Sequence, residues 1–296
     1  MVYAAFGSFA GMYGRGETGV PRLRHQGRAA LFLTVGVAFG VALSELSAPG
    51  WVLVVVETAY ATVGSVAADH LRLRPAGPFF FIFALGATAT VPRALVAPAV
   101  GVAICAASAA LAVLVGMVGT RGPRGPRPRE PRSLPPGARV HAARYALAVG
   151  VGGGIGLCLG FDHANWAMAA AAVPLAAIDA GRPSEGEVRL VLTRAVHRTV
   201  GTLAGLAVTA ALLAHGFGPS ALAGLTILLV FPTELFMTRH YAVAIGFFTP
   251  LVMVMTELVD PTPPLQLLGY RGLDTLIGVA AGVAVAVLVR GRRSGG

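Results

Sequence analysis

Apolar residues in this chain come in long blocks separated by short polar breaks, without the period of two or 3.6 that marks a half-buried strand or an amphipathic helix. A helix that crosses the roughly 30 Å hydrocarbon layer of a bilayer needs about 20 consecutive, mostly apolar residues. Ten blocks meet that requirement: residues 29–46, 51–68, 77–91, 94–119, 140–160, 164–180, 197–215, 218–236, 240–258 and 272–289. An eleventh, residues 1–13, is apolar but short, and only Pro92 and Arg93 divide the third block from the fourth. The pattern predicts an all-α fold, a polytopic transmembrane helical bundle of about 11 spans.

The polar breaks carry the charge. All 23 basic residues other than histidine are arginine, and the chain has no lysine. Arginine gathers on the cytoplasmic flanks of spans. With the C-terminus placed in the cytoplasm, Arg93 and Arg271 fall on outer flanks and Arg144 lies just inside a span. Every other arginine then falls on an inner flank. A miscounted span would have scattered them across both sides.

Residues 120–138, TRGPRGPRPREPRSLPPGA, are rich in Pro and Arg and read as a solvated cytoplasmic linker. They divide two similar halves, a first membrane repeat (1–119) and a second (139–296). Residues 34–42 line up with 199–207, five of the nine positions being identical, and 100–103 resemble 277–280. Each half repeats the same series of spans in the same orientation, five in the first and six in the second, as parallel repeats do in several transporter folds. The first half lacks a counterpart of 140–160. Either the natural start lies upstream of Met1 or the chain has lost one helix.

Composition excludes several classes. The chain is 55% hydrophobic, 12% charged and has a mean hydropathy of +0.74. A soluble chain carries about 25% charged residues. Without lysine there is neither a phosphate-binding loop of the GxxxxGK[ST] type nor a Schiff-base lysine. Cys105 and Cys158 stand alone in apolar runs, as small buried residues rather than a redox or metal pair. No HExxH, GxSxG or paired aspartate motif occurs, so neither an enzyme nor a cofactor or metal is expected. The net charge of +10 is read as a topology signal and not as a nucleic-acid footprint.

Glycines recur four apart at Gly7/Gly11, Gly36/Gly40, Gly152/Gly156, Gly201/Gly205 and Gly278/Gly282. That spacing puts them on one helix face, where they let backbones approach. Ionisable residues at membrane depth are the candidates for chemistry, because an unpaired charge there is costly. Glu57, Glu234 and Asp274 qualify, with Arg271 beside Asp274. Burial of a carboxyl favours its protonated form, which suits proton exchange; the alternative is a paired structural charge. For Arg144, Glu45 and Glu257 the structural reading is preferred. Arg194 and Arg198 are four apart, so on a helix they share a face and form a cationic mouth for an anion, or else serve as ordinary inner-flank arginines.

Four motifs of the second half occur in an order that resembles the fusaric acid resistance protein and aromatic acid exporter family. They are His163-Ala164-Asn165-Trp166 followed by Pro174, RAVHRTVGTLAG from Arg194, RHYAVAIGFFTP from Arg239, and RGLDTLIG from Arg271. The resemblance covers about 140–289, and the first half more faintly through GSFAGMYG from Gly7. It implies a multi-pass protein of the plasma (cytoplasmic) membrane that moves aromatic carboxylates or similar organic anions outward, coupled to protons. It directs attention to Trp166, Arg194, Arg198, Thr202, Tyr241, Thr249, Arg271 and Asp274. Many relatives carry a sizeable cytoplasmic domain where this chain has only the linker. Leu33 aligns with Arg198, so the first half does not duplicate that arginine.

Three readings follow. The first is a secondary transporter that exports a small organic anion, using Arg194, Arg198, Thr202, Trp166, Tyr241 and Thr249 for the substrate, and Glu57, Glu234, Arg271 and Asp274 as intramembrane polar or proton-coupling groups. The second is a passive anion channel on the same scaffold, and the third a non-transporting membrane scaffold or assembly protein. The expected partners are a small organic anion, protons and the lipid bilayer, with no nucleic acid; a homo-oligomer stays open.

Overall fold

A computed structural model describes residues 1–93, 96–118, 133–160, 164–180, 186–237, 239–261 and 263–289. Helix accounts for 81% of the described residues, which contain no strand. The 120–138 linker falls outside them up to residue 132, and so do Asp162 and His163.

Among the described residues eleven α-helices follow one another: α1 (Val2–Ser8, running into a 3-10 turn at Phe9–Met12), α2 (Val20–Glu45), α3 (Gly50–His70), α4 (Phe79–Ala89), α5 (Pro98–Met117), α6 (Ala138–Cys158), α7 (Ala164–Leu175), α8 (Glu187–Ala214), α9 (Pro219–Phe236), α10 (Tyr241–Val259) and α11 (Pro264–Leu288). Each apolar block of the sequence corresponds to one of them. Proline opens α2, α5, α9 and α11, where its missing N–H belongs to the unpaired first turn and its fixed φ suits a helix.

Seven of these helices are long and apolar enough to cross a membrane: α2, α3, α5, α8, α9, α10 and α11. α1 with its 3-10 turn, α4 and α7 are apolar but shorter. The 21-residue α6 carries Arg139, His141 and Arg144 in its first two turns. Three boundaries differ from the hydropathy reading. α2 begins at Val20, ahead of the apolar block at 29–46, α8 at Glu187, ahead of 197–215, and α11 at Pro264, ahead of 272–289. In each case polar and basic residues in the opening turns mask the start of the helix. Arg271 therefore lies inside α11, fully buried, and not on an outer flank.

The short helices are central. All twelve residues of α7 are buried, and so is most of α4. A helix apolar on every side is covered on every side. α7 packs against α11 and α6, α4 against α2, and α10 against α8 and α9. The long helices α2, α3, α5, α8 and α9 present Leu31, Val55, Leu111, Leu203 and Phe231 outward, the face a lipid-solvated bundle needs.

Glycines sit where these backbones meet. A Cβ on Gly36 or Gly40 of α2 would run into the carbonyls of Phe81 and Leu85 of α4. One on Gly201 or Gly205 of α8 would meet those of Ala242 and Gly246 of α10. Gly7 of α1 abuts Cys105 of α5, and Gly278 of α11 abuts Ala167 of α7. Direct backbone approach of this kind stabilises helix pairs where lipid gives no hydrophobic drive for association.

Candidate functional site

α8 and α11 each carry a basic residue into the middle of the bundle. Arg198 and Arg271 are fully buried, and among the described residues none of their side-chain nitrogens has a hydrogen-bond partner. Leaving a guanidinium dry and unpaired costs several kcal/mol, so such a group marks a place where a partner belongs. Electrostatically, Arg271 has Arg198 and Asp274 as neighbours, two cations against one carboxyl. Both oxygens of Asp274 are buried without a hydrogen bond.

Aromatic faces surround these cations. The Arg271 guanidinium carbon lies 5.0 Å from the Trp166 ring centroid. That of Arg198 lies 5.1 Å from Phe79 and 6.0 Å from Phe248. Phe83 bridges the last two, its centroid 5.8 Å from Phe79 and 5.2 Å from Phe248. Ring faces attract a cation without neutralising it, so the positive field is left for an anion. Thr202 of α8 and Thr249 of α10 add two buried hydroxyls without partners, one turn beyond Arg198 and one residue after Phe248.

Arg194 lies one turn before Arg198, closer to the arginine-rich end of the bundle. Its guanidinium carbon stands 3.4 Å from the centroid of Tyr241, the first residue of α10. Tyr145 of α6 is an electrostatic neighbour of Arg194.

At the opposite end a small pocket of about 40 Å³ lies between α1, α4, α7 and α10. Val2, Phe6, Phe83, Trp166, Met255 and Asp260 are among its lining. Trp166 thus has one role in the pocket and another at Arg271.

Of the ten residues singled out in the sequence, Arg194, Arg198, Thr202, Trp166, Tyr241, Thr249, Arg271 and Asp274 converge on this region from α7, α8, α10 and α11. Arg198 lies deep in the bundle, not at a mouth. Glu57 is on α3, fully buried, with neither oxygen hydrogen-bonded. Its carboxyl and the Asn165 side chain converge on Gly86: a Cβ there would stand 2.7 Å from Glu57 Oε2 and 3.2 Å from Asn165 Nδ2. Glu234 is elsewhere. It is ion-paired with Arg15 at 2.8 Å and accepts from Ser8 at 3.4 Å. Arg144 is likewise paired, with Glu187 at 2.6 Å, and donates to the Val289 carbonyl at 2.8 Å.

Asn165, Phe79, Phe83 and Phe248 belong to the site but were not among the residues singled out. Asn165 stood inside a quoted motif beside Trp166, and the FFF run at Phe79 was a visible signal. That Phe79 serves an arginine of the other half is a property of packing alone. Among the described residues no cluster of three or more His, Cys, Asp or Glu side chains is placed to hold a metal.

Residues 147–285 match the model of a family described as fusaric acid resistance protein-like. The resemblance carried by the four motifs therefore holds for the segment that contributes Arg194, Arg198, Trp166, Tyr241, Arg271 and Asp274. No curated protein and no solved structure matches the chain.

Proposed function

We propose that this multi-pass membrane protein, with its fusaric acid resistance protein-like second half, is a secondary transporter that exports small organic anions across the plasma membrane. Aromatic carboxylates fit best, and protons are the coupling ion. The observation that carries the reading is the pair Arg198 and Arg271: two buried, unpartnered cations among aromatic rings, within one layer of side chains of a small pocket. The carboxylate offsets both guanidiniums, and the ring lies among Trp166, Phe79, Phe83 and Phe248. Thr202 and Thr249 supply hydroxyl contacts. Arg194 gathers the anion at the cytoplasmic end, where Tyr241 holds its side chain.

Glu57 and Asp274 are the proton-exchanging groups in this reading, since both are buried and without a hydrogen bond. Glu234 is assigned a structural role through Arg15. The topology has a cytoplasmic C-terminus, so the arginine-rich end faces inward and the pocket outward. Two parallel repeats, 1–119 and 139–296, underlie the bundle. The matched contacts of Gly36 and Gly40 with α4, and of Gly201 and Gly205 with α10, support that division.

The test is efflux from vesicles with an imposed pH gradient, using benzoate and hydroxybenzoates. Gradient-driven movement that needs Arg198 and Arg271 is the expected result. Equal flux without a gradient would point instead to a passive channel. The stacking of Arg194 on Tyr241, which holds that side chain in place, favours a carrier. No flux of any anion, with a partner co-purifying, would favour a scaffold.

A further inference from the structure

The two halves are joined at the arginine-rich end by two contacts of the same design. The sequence spacing from Gly36 to Gly201 is also the spacing from Asp69, near the end of α3, to Glu234, near the end of α9. The buried positions of the two helices keep step with it: Glu57, Ala61 and Ala68 on α3 match Leu222, Thr226 and Thr233 on α9. Asp69 Oδ2 lies 2.8 Å from Nδ1 of His141, whose Nε2 is 3.1 Å from the carbonyl of Leu175 at the end of α7. Glu234 is met by Arg15, which also donates through Nε to the carbonyl of Gly11 at 3.2 Å. Leu175 and Gly11 are themselves counterparts, one step from the same spacing. In each contact a base therefore ties a carboxylate at the foot of a long helix of one half to a carbonyl at the foot of a short helix of the other.

The base has a different origin in each case. His141 belongs to α6, whereas Arg15 comes from the connection between the 3-10 turn and α2. Both contacts also cross between halves, joining α3 to α6 and α7, and α9 to the 3-10 turn. Their surroundings differ sharply. His141 is embedded in the long α3–α6 packing, where Val54 lies against Gly153 and Thr58 against Gly150. α9 packs on α10, and its described polar contacts with the first half are those of Glu234 with Arg15 and Ser8. The side chains of Arg15 and Glu234 are 33% and 16% exposed, so water reaches them.

We propose that Arg15 and Glu234 form the cytoplasmic latch of an alternating-access movement, with the His141–Asp69 side as its hinge. This rests on the transporter reading above. The latch is closed in this structure, and the small pocket between α1, α4, α7 and α10 lies at the other end. Opening it separates α9 and α10 from the α1 end of the first half and admits the anion from the arginine-rich side. Arg15 and Glu234 are positioning residues here and do not touch the substrate. A water-accessible ion pair is weak enough to break in each cycle, which a long helix interface is not.

The experiment uses the full chain with Cys105 and Cys158 replaced by Ala and with Ser8→Cys as reporter. In inside-out vesicles an impermeant maleimide probes the cytoplasmic side. Arg15→Ala and Glu234→Gln are expected to speed labelling of residue 8 at least threefold, and the double swap Arg15→Glu with Glu234→Arg to slow it again. Unchanged labelling in both single variants would overturn the latch, and this arm needs no transport activity. In a second arm, a short reducible thiol-specific cross-linker joins Ser8→Cys to Glu234→Cys. Export should fall at least tenfold and return on reduction; full-rate export by cross-linked protein would also overturn it. If the uncross-linked protein moves no anion, the transporter reading fails, and the labelling arm still decides whether this end opens.

Discussion

The guanidinium carbon of Arg194 stands 3.4 Å from the centroid of the Tyr241 ring, and the phenol oxygen of that ring is buried without a partner. The contact is therefore between cation and ring face and owes nothing to the hydroxyl. Tyr241→Phe is expected to preserve it. Tyr241→Leu is expected to lose about 1–2 kcal/mol, the worth of a largely desolvated cation–π pair. Thermal unfolding of the two purified variants in detergent checks this, and equal midpoints would show that the stacking contributes nothing.

Arg198 and Arg271 are buried cations without hydrogen bonds, so the unliganded protein carries an uncompensated penalty at each. Arg198→Met should leave the apo protein as stable as the parent or more so, while removing its response to ligand. For the parent, an aromatic carboxylate such as benzoate at a hundred times its Kd should add about 2.7 kcal/mol. Unfolding midpoints with and without benzoate measure both effects. A variant that keeps the full ligand-induced rise would remove Arg198 from the site.

A Cβ on Gly201 would stand 2.5 Å from the Ala242 carbonyl and 2.8 Å from Ile245 Cβ, whereas one on Gly154 would meet nothing within 4 Å. Gly201→Ala must push α8 from α10 and is expected to cost about 1–3 kcal/mol. Gly154→Ala, in the middle of α6, gains helix propensity and is expected to stabilise by up to about 1 kcal/mol. Unfolding of the two variants side by side separates close packing from helix propensity. Equal effects would contradict the tight α8–α10 approach.

The all-helical architecture and the order of its helices were legible because each helix contains an apolar block, and no long-range contact is needed to see it. The starts of α2, α8 and α11 were not, since Arg22, Arg24, Arg28, Arg189, Arg194 and Arg271 lower the local hydropathy of turns that are helical all the same. The depth of Arg198 was hidden for the same reason: hydropathy reports average character along a helix, whereas its burial follows from α10 and α4 closing over one face. Glu234 and Glu57 looked alike in sequence, each a lone carboxylate in an apolar run. They part company only in space, because Arg15 lies far away along the chain and nothing local announces its reach. The sequence could bring Trp166, Arg194, Arg198 and Arg271 onto one list through recurring motifs, but not the Phe79 and Phe83 rings that the other half contributes.

Glu57 offers the clearest separation of coupling from binding. Its carboxyl is fully buried beside Asn165 and Gly86, and it lies on α3, while the arginines lie on α8 and α11. Glutamine matches glutamate in size and hydrogen-bonding reach but holds its protons permanently. Glu57→Gln should therefore fold as well as the parent and still exchange labelled benzoate for unlabelled benzoate across the membrane. It should fail to accumulate benzoate against its gradient when a pH difference is imposed, with at least a tenfold loss. Asn165→Ala removes the neighbouring amide without touching the carboxyl and should weaken coupling less. Counterflow and gradient-driven uptake in the same vesicle preparation measure both. If Glu57→Gln loses exchange and accumulation together, the residue serves binding or folding; if it loses neither, the proton passes through Asp274.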